Sequence, residues 1–101
     1  MLARRSLLDI AERFGGTLWS RDGLAAVPTV QFGGVSIDSR SVAAGDLFVA
    51  IQGDKYDGHQ FIAQAQETAA ALVVSLPQPD SSLLQWIVED TTAALGQLAQ
   101  F

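Results

Sequence analysis

The sequence contains no cysteine and a single histidine, His59. The absence of cysteine excludes disulfides, thiol catalysis and thiolate metal sites, and one histidine excludes a zinc site built from several. Basic residues are also few, with 6 Lys and Arg against 11 Asp and Glu and a formal net charge of −5. We therefore do not expect a nucleic-acid partner, because such binding relies on cations that face phosphates.

Long apolar runs are missing as well. No uninterrupted apolar stretch approaches the roughly 20 residues that are needed to span a bilayer. Asp9, Glu12 and Arg13 interrupt the N-terminal segment before it could form a signal peptide. With 101 residues, 49% of them hydrophobic, the chain suffices for one domain with a packed core. We expect a cytoplasmic domain with no membrane partner.

The spacing of apolar residues predicts helices and strands in alternation. The predicted helices are Ser6 to Phe14, about Gly58 to Ala70, and a last helix capped by Asp90. The predicted strands are Thr17–Trp19, Val27–Phe32, Leu47–Ile51, Ala71–Ser75 and Leu84–Val88, with the first two in a hairpin. The run Leu47–Ile51 does not alternate, which is typical of a parallel strand covered on both faces. Together with the next helix and strand it predicts a βαβ unit.

The loop from Gln52 to Gly58 is a candidate ligand-binding loop. It follows the carboxyl end of a buried strand and leads into a helix N-terminus, where α/β sheets usually bind ligands. Free N–H groups at that terminus favour an anion, and Lys55 is the only lysine of the chain. Against a phosphate site, Asp57 has the position of the helix cap and Asp54 adds negative charge.

Two other side chains allow both a functional and a structural interpretation. Arg40 could contact a phosphate, or it could pair with Asp38 or Asp46 and stabilise its loop. His59 could act as a general base, but a histidine in the first turn of a helix is more often structural. Ser39 with His59 does not have the spacing of a known hydrolase triad.

Neither a nucleotide triphosphate site nor a metal site is expected from the motifs. The chain has no G-x-x-x-x-G-K-[ST] motif. Its clustered aspartates do not follow the Ca²⁺ loop pattern, and each has a use in a turn or cap. These four residues are Asp38, Asp46, Asp54 and Asp57.

The stretch from Val35 to Phe61 closely resembles the Mur ligase family. It contains the triplet Asp38-Ser-Arg, then Gly45-Asp-Leu-Phe-Val-Ala, then Asp57-Gly-His-Gln-Phe. The similarity extends over almost the whole chain, and the segment after Val88 resembles the one that precedes the family's P-loop. The opening helix and that last segment are more similar to the MurF branch, which adds D-alanyl-D-alanine to UDP-N-acetylmuramoyl-tripeptide. The MurE branch, which adds the third amino acid, is the alternative, and Ile37 departs from the usual residue of either branch.

The resemblance implies a small single α/β domain, with a mixed sheet that contains a βαβ unit and flanking helices. Residues 1–101 would be the N-terminal domain that binds the UDP-sugar substrate. ATP, Mg²⁺ and the catalytic groups would belong to central and C-terminal domains outside this chain. The parent protein would be an ATP-dependent amide ligase of peptidoglycan precursor synthesis. A free-standing nucleotide-binding module without ligase activity is a second hypothesis.

The resemblance also implies which residues contact the substrate. Ile37 and Ser39 would contact the uridine, and Asp54, Lys55 and Tyr56 would line the rest of the nucleotide site. Arg40 would contact phosphate or support its loop. No catalytic residue and no bound cofactor or metal are expected in residues 1–101.

Overall fold

The computed structural model describes residues 5–23, 30–52 and 57–100, which form a three-layered α/β domain. The helices are α1 (Leu7–Phe14), α2 (Ile62–Ala65) and α3 (Thr91–Gln100), and a 3₁₀ turn (Gly58–Phe61) leads directly into α2. The strands are β1 (Arg5–Ser6), β2 (Thr17–Trp19), β3 (Gln31–Phe32), β4 (Val35–Ser36), β5 (Leu47–Val49), β6 (Ala71–Val74) and β7 (Leu84–Ile87).

Five of these strands form one mixed sheet in the order β2-β7-β6-β5-β4. The four strands from β4 to β7 are parallel, and β2 pairs with β7 in the antiparallel direction. The predicted βαβ unit is confirmed, because β5 and β6 are parallel neighbours joined through α2. The mixed α/β fold implied by the family resemblance is therefore the observed fold.

Alternation along β5 explains why its sequence is apolar throughout. Leu47 and Val49 pack on the face that α1 and α3 cover, whereas Phe48 and Ala50 pack on the face that α2 covers. Successive side chains of a strand point to opposite faces, so a strand covered by helices on both sides favours apolar residues at successive positions.

The Gly15-Gly16 pair follows α1, which ends at Phe14 as predicted, and brings the chain close to β7. The indole Nε1 of Trp86 donates a 2.8 Å hydrogen bond to the Gly15 carbonyl oxygen. At Gly16, φ is +81° and a Cβ would lie 2.8 Å from the Ile87 carbonyl oxygen, so only glycine fits. Trp86 is fully buried in the core, whereas Trp19 is half-buried.

The predicted hairpin differs from the structure. β2 and β3 do not form a hairpin, since β2 pairs with β7 and β3 pairs with β1 in a separate ribbon. Residues 27–29 of the predicted strand Val27–Phe32 lie outside the described residues.

The predicted helix over residues 58–70 is also shorter than expected. Its first turn is 3₁₀, and α2 ends at Ala65. Thr68 then bonds back to Ala65 by an i→i−3 contact, and the Ala70 N–H donates to the Asp46 carbonyl oxygen at 2.7 Å. That bond takes the Ala70 N–H out of the helical hydrogen-bonding pattern and directs the chain into β6.

Candidate functional site

The loop that follows β4 is held in a tight turn by its own side chains. The Ser36 Oγ accepts a hydrogen bond from the Asp38 N–H at 3.2 Å, and the Ser41 N–H donates to the Asp38 carbonyl oxygen at 3.1 Å. Short polar side chains that bond the backbone two residues on favour this type of turn. The turn presents Ile37, Ser39 and Arg40 at the edge of the sheet.

Arg40 pairs with Asp38, one of the two partners that the sequence left open. Its Nε and one terminal nitrogen each lie 3.1 Å from a carboxylate oxygen of Asp38, and its backbone N–H donates to the same carboxylate at 2.9 Å. These bonds from Arg40 hold the pKa of the Asp38 carboxyl below its ordinary value. The other candidate, Asp46, instead accepts from the Ala43 N–H at 3.1 Å.

The Arg40 guanidinium nevertheless faces solvent over most of its surface. Its side chain is 79% exposed while it is held by the Asp38 carboxylate. A side chain this exposed is accessible to a ligand from solvent. Arg40 can therefore support its loop by pairing with Asp38 and also contact a phosphate.

A cavity of about 500 Å³ lies between this loop and the start of α2. Its lining residues are Ile37, Asp38, Ser39, Arg40, Phe61 and Gln64. Three of them are residues for which the resemblance implies substrate contact. The other three implied residues, Asp54, Lys55 and Tyr56, lie outside the described residues.

Phe61 and Gln64 complete the cavity from the opposite side, and the sequence motifs did not identify them as site residues. The Ser39 hydroxyl donates to the Gln64 amide oxygen at 3.0 Å across a separation of 25 residues. Phe61 belongs to the Asp-Gly-His-Gln-Phe motif, which was the one available signal, but nothing in the motif shows which way the ring faces.

The candidate ligand loop begins and ends next to the sheet, as its sequence position suggested. Gln52 and Asp57 form an antiparallel bridge, and the Gly58 N–H donates to the Ile51 carbonyl oxygen at 2.7 Å. A Cβ on Gly58 would lie 2.8 Å from the Ala50 Cα, so the motif needs glycine there. The two ends of the loop are thus fixed at the carboxyl end of β5.

Asp57, His59 and Ser75 form a chain of hydrogen bonds that resembles a hydrolase triad in outline. Asp57 caps the 3₁₀ turn as predicted, although its carboxylate accepts from the His59 N–H at 2.9 Å and not from Gln60. The same carboxylate lies 2.7 Å from the His59 Nδ1, and the Nε2 lies 3.2 Å from the Ser75 Oγ. The bonds from His59 lower the pKa of the Asp57 carboxyl.

The hydrogen bonding of His59 favours the structural interpretation of this chain. The Ser75 backbone N–H donates to Nε2 at 3.0 Å. Neutral imidazole has one acceptor nitrogen, so Nε2 is the acceptor and Nδ1 carries the hydrogen donated to Asp57. Since its lone pair is already engaged by the backbone, Nε2 is poorly placed to take a proton from the Ser75 hydroxyl. His59 joins the 3₁₀ turn to the end of β6.

Within the described ranges, no three His, Cys, Asp or Glu side chains come together in a way that could hold a metal ion. No helix in the part of the chain that the structure describes is long and apolar enough to cross a membrane.

Comparison with known proteins decides the family. The model described as "Mur ligase family, catalytic domain" matches residues 31–93, which is more than half of the chain. The chain belongs to the Mur ligase family. The resemblance predicted from the Asp38-Ser-Arg and Asp57-Gly-His motifs is therefore confirmed.

Relatives from both branches of the Mur ligases match the chain. The UDP-N-acetylmuramoyl-tripeptide–D-alanyl-D-alanine ligase of Bacillus subtilis is 34% identical over 98% of this chain and 21% of its own length. The UDP-N-acetylmuramoyl-L-alanyl-D-glutamate–2,6-diaminopimelate ligase of Chlorobaculum tepidum is 43% identical over 90% of this chain and 17% of its own length. The chain thus spans about a fifth of the length of these Mur ligases.

Solved structures of Mur ligases share the fold. MurF from Acinetobacter baumannii matches with a TM-score of 0.79 and 28% identity, over 96% of this chain and 20% of that one. MurF from Thermotoga maritima, solved in complex with ADP, matches with a TM-score of 0.58 and 33% identity, over 65% of this chain and 16% of that one.

Proposed function

We propose that this chain is the N-terminal substrate-recognition domain of a MurF-type ligase and that it binds the uridine diphosphate end of UDP-N-acetylmuramoyl-tripeptide. The observation that carries the proposal is the cavity beside the Asp38-Ser-Arg turn, which is lined by Ile37, Ser39 and Arg40. The family resemblance implies substrate contact for these same three residues.

The chemistry of the cavity suits a nucleotide. Its volume of about 500 Å³ is within the range of small-molecule sites, which combine apolar walls with a few polar groups. Ile37 is 47% exposed and offers an apolar surface for a ring. Ser39 and Gln64 supply hydrogen-bonding groups, and the exposed Arg40 guanidinium supplies positive charge for phosphate.

The remaining contacts belong to the loop between Gln52 and Asp57. Its ends are fixed by the bridge between those residues, and its sequence contains the only lysine of the chain. We propose that Asp54, Lys55 and Tyr56 extend the site from the nucleoside toward the diphosphate.

Ligation itself belongs to the rest of the parent protein in this proposal, and we expect the isolated chain to be inactive. The sequence has no G-x-x-x-x-G-K-[ST] motif, so it lacks the loop that would bind the phosphates of ATP and the Mg²⁺ that accompanies them. Binding energy from a remote part of a substrate orients its reacting group elsewhere. The partners are thus the UDP-linked peptide and the parent's own central and C-terminal domains, in the cytoplasm.

A MurE-type parent is the second candidate, because the Chlorobaculum tepidum relative matches 90% of the chain at 43% identity. A ligation assay with the complete protein separates the two. Incorporation of D-alanyl-D-alanine into the tripeptide substrate supports the MurF type, and addition of one amino acid to the dipeptide substrate supports the MurE type.

Calorimetric titration of the chain with UDP-N-acetylmuramoyl-tripeptide tests the proposed site. We expect Ile37→Ser to weaken binding by about 1–2 kcal/mol, or roughly 5–30-fold, because it removes apolar surface from the cavity. Leu76→Ser is the matched control, since Leu76 is also an exposed aliphatic residue (68%) and lies outside the cavity lining. Equal effects of the two substitutions would contradict the proposed site.

A further inference from the structure

His59 is a largely buried side chain that hydrogen-bonds two separate parts of the chain, and the proposed site has so far given it no part. It lies in the 3₁₀ turn that leads into α2, and its side chain is 13% exposed. Its Nδ1 lies 2.7 Å from the carboxylate of Asp57, near the end of the candidate ligand loop. Its Nε2 accepts a 3.0 Å hydrogen bond from the N–H of Ser75, 16 residues further along the chain, where β6 ends. The ring therefore links the loop end and the turn to the middle of the sheet.

One wall of the cavity is carried by the turn and the short helix that follow from His59. Phe61 is the last residue of the turn, and Gln64 lies three residues later on α2. α2 has only four residues, and a helix this short is not stable on its own. Its position therefore depends on tertiary contacts, which are the packing of Ile62 and Ala65 against the sheet and the bonds of the preceding turn.

Two hydrogen bonds attach the turn to two neighbouring strands. The bond from the Gly58 N–H to the Ile51 carbonyl oxygen, at 2.7 Å, joins it to the chain leaving β5. The bond that His59 accepts from Ser75 joins it to the end of β6. Without the second bond, the turn can pivot about the first and move the cavity wall that follows it. A binding site works only when its groups are held within about 0.5 Å of the productive geometry.

We infer that His59 is a positioning residue of the cavity, and that its bond to Ser75 holds the wall formed by Phe61 and Gln64 at the separation that the ligand requires. The inference rests on the proposed function, since it requires that the substrate occupies this cavity. His59 does not belong to the cavity lining, so it acts through the turn and not by touching the ligand.

Titration of the 101-residue chain with UDP-N-acetylmuramoyl-tripeptide tests the inference. His59→Leu removes the acceptor of the Ser75 N–H, so the dissociation constant should rise at least about fivefold, since misplacing the groups of a site by about 1 Å weakens it severely. His59→Gln keeps an amide oxygen that can replace Nε2, so its dissociation constant should stay within about twofold of that of wild type.

His59→Asn is a second test that does not depend on how well the leucine variant folds. Asparagine has the same amide as glutamine on a side chain that is one methylene shorter. Its amide can replace Nδ1 beside Asp57 but is too short to reach Ser75. His59→Asn should therefore weaken binding as His59→Leu does.

Trp86→Phe is the matched control for a general loss of stability. It also breaks one bond between a side chain and the backbone, the 2.8 Å bond to the Gly15 carbonyl oxygen. Trp86 packs on the face of the sheet that α1 and α3 cover, whereas α2 covers the other face. Its substitution should leave the dissociation constant unchanged when every variant is titrated at a temperature at which thermal unfolding shows it to be folded.

The possible failures point to different conclusions. If wild type binds the substrate and His59→Leu and His59→Asn bind it equally well, the positioning role is overturned while the proposed site stands. The same follows if Trp86→Phe or His59→Gln weakens binding as much as His59→Asn does, because the bond to Ser75 is then not the cause. If wild type does not bind the substrate, the proposed function and this inference are both overturned.

Discussion

Substituting Gly58 by alanine tests how closely the candidate ligand loop is packed against the sheet. A Cβ at this position would lie 2.8 Å from the Ala50 Cα, 2.9 Å from the Ile51 nitrogen and 3.0 Å from the Ala50 carbonyl carbon. All three are backbone atoms of the chain leaving β5, so no side chain can rotate to make room. The two backbone segments must move apart, which stretches the 2.7 Å bond from the Gly58 N–H to the Ile51 carbonyl oxygen.

The expected destabilisation is about 1–3 kcal/mol, which is the usual cost of forcing an extra carbon into a packed interior. Alanine also lowers the conformational entropy of the unfolded chain, which offsets part of this destabilisation. At an unstrained position, Gly→Ala stabilises a protein by about 0.4–1 kcal/mol for this reason. For a domain of this size, 1 kcal/mol corresponds to a change in Tm of about 4–8 °C. Because all three contacts are with backbone atoms, we take the upper part of that range, about 2–3 kcal/mol. The net loss is then about 1–2.5 kcal/mol, and the Tm of Gly58→Ala should fall by about 4–20 °C in a thermal scan followed by circular dichroism.

Gly96→Ala is the control with the opposite sign. Gly96 lies within α3, and a Cβ there meets nothing within 4 Å. Alanine in an exposed helix interior is favoured over glycine by about 1 kcal/mol, so the Tm of Gly96→Ala should rise by several degrees. An unchanged or raised Tm for Gly58→Ala would refute the packing argument.

Substitutions at three other residues test the contacts that join the elements. Trp86→Phe removes the 2.8 Å bond to the Gly15 carbonyl oxygen and part of a fully buried ring, so urea denaturation should show a loss of about 1–3 kcal/mol. His59→Leu leaves the Ser75 N–H without its acceptor and should cost about 1–3 kcal/mol. His59→Gln should recover part of that loss, because its amide oxygen can replace Nε2 as acceptor, and equal stability of the two variants would contradict the bond. The pKa of the Asp57 carboxyl is lowered in the folded state, so its ionised form stabilises the fold. This contribution is fully present above about pH 4, the ordinary carboxyl pKa, and it is lost as the pH falls through the lower pKa of the folded state. Wild type and Asp57→Asn should therefore differ more in free energy of unfolding at pH 6 than at the acid end of a denaturation series.

Patterns that depend on neighbouring residues were predictable from the sequence. The apolar run from Leu47 reports burial on both faces of the sheet, and the structure has helices on both faces. The Gly15-Gly16 pair ended α1 because glycine adopts positive φ, and Asp90 caps α3 by accepting from the N–H groups of Thr92 and Ala93. The two helix ends are decided by residues next to them in the chain, and the apolar run records its burial in its own residue types.

Features that depend on distant partners were not predictable in the same way. Apolar alternation marked Thr17–Trp19 as a strand, but it could not show that β2 pairs with β7 and not with β3. The length of α2 was overestimated because its end depends on the bond from Ala70 to the Asp46 carbonyl oxygen.

The candidate site shows the same limit. The family motifs indicated Ile37, Ser39 and Arg40, while the residues alone left Asp38 and Asp46 open as the partner of Arg40, and the structure selects Asp38. They also did not indicate Gln64, which reaches the cavity only because α2 packs beside a turn 25 residues earlier in the chain.

An NMR titration of the isotopically labelled chain with UDP-N-acetylmuramoyl-tripeptide, with ATP as the control ligand, tests directly whether the chain binds the uridine diphosphate end of the substrate. We expect the shifted amide signals to be those of the cavity lining and the neighbouring loop, residues 37–40, 53–58, 61 and 64, and we expect ATP to shift none of them. Shifts centred elsewhere on the domain, or equal shifts with ATP, would contradict a site that recognises the uridine diphosphate end of the substrate.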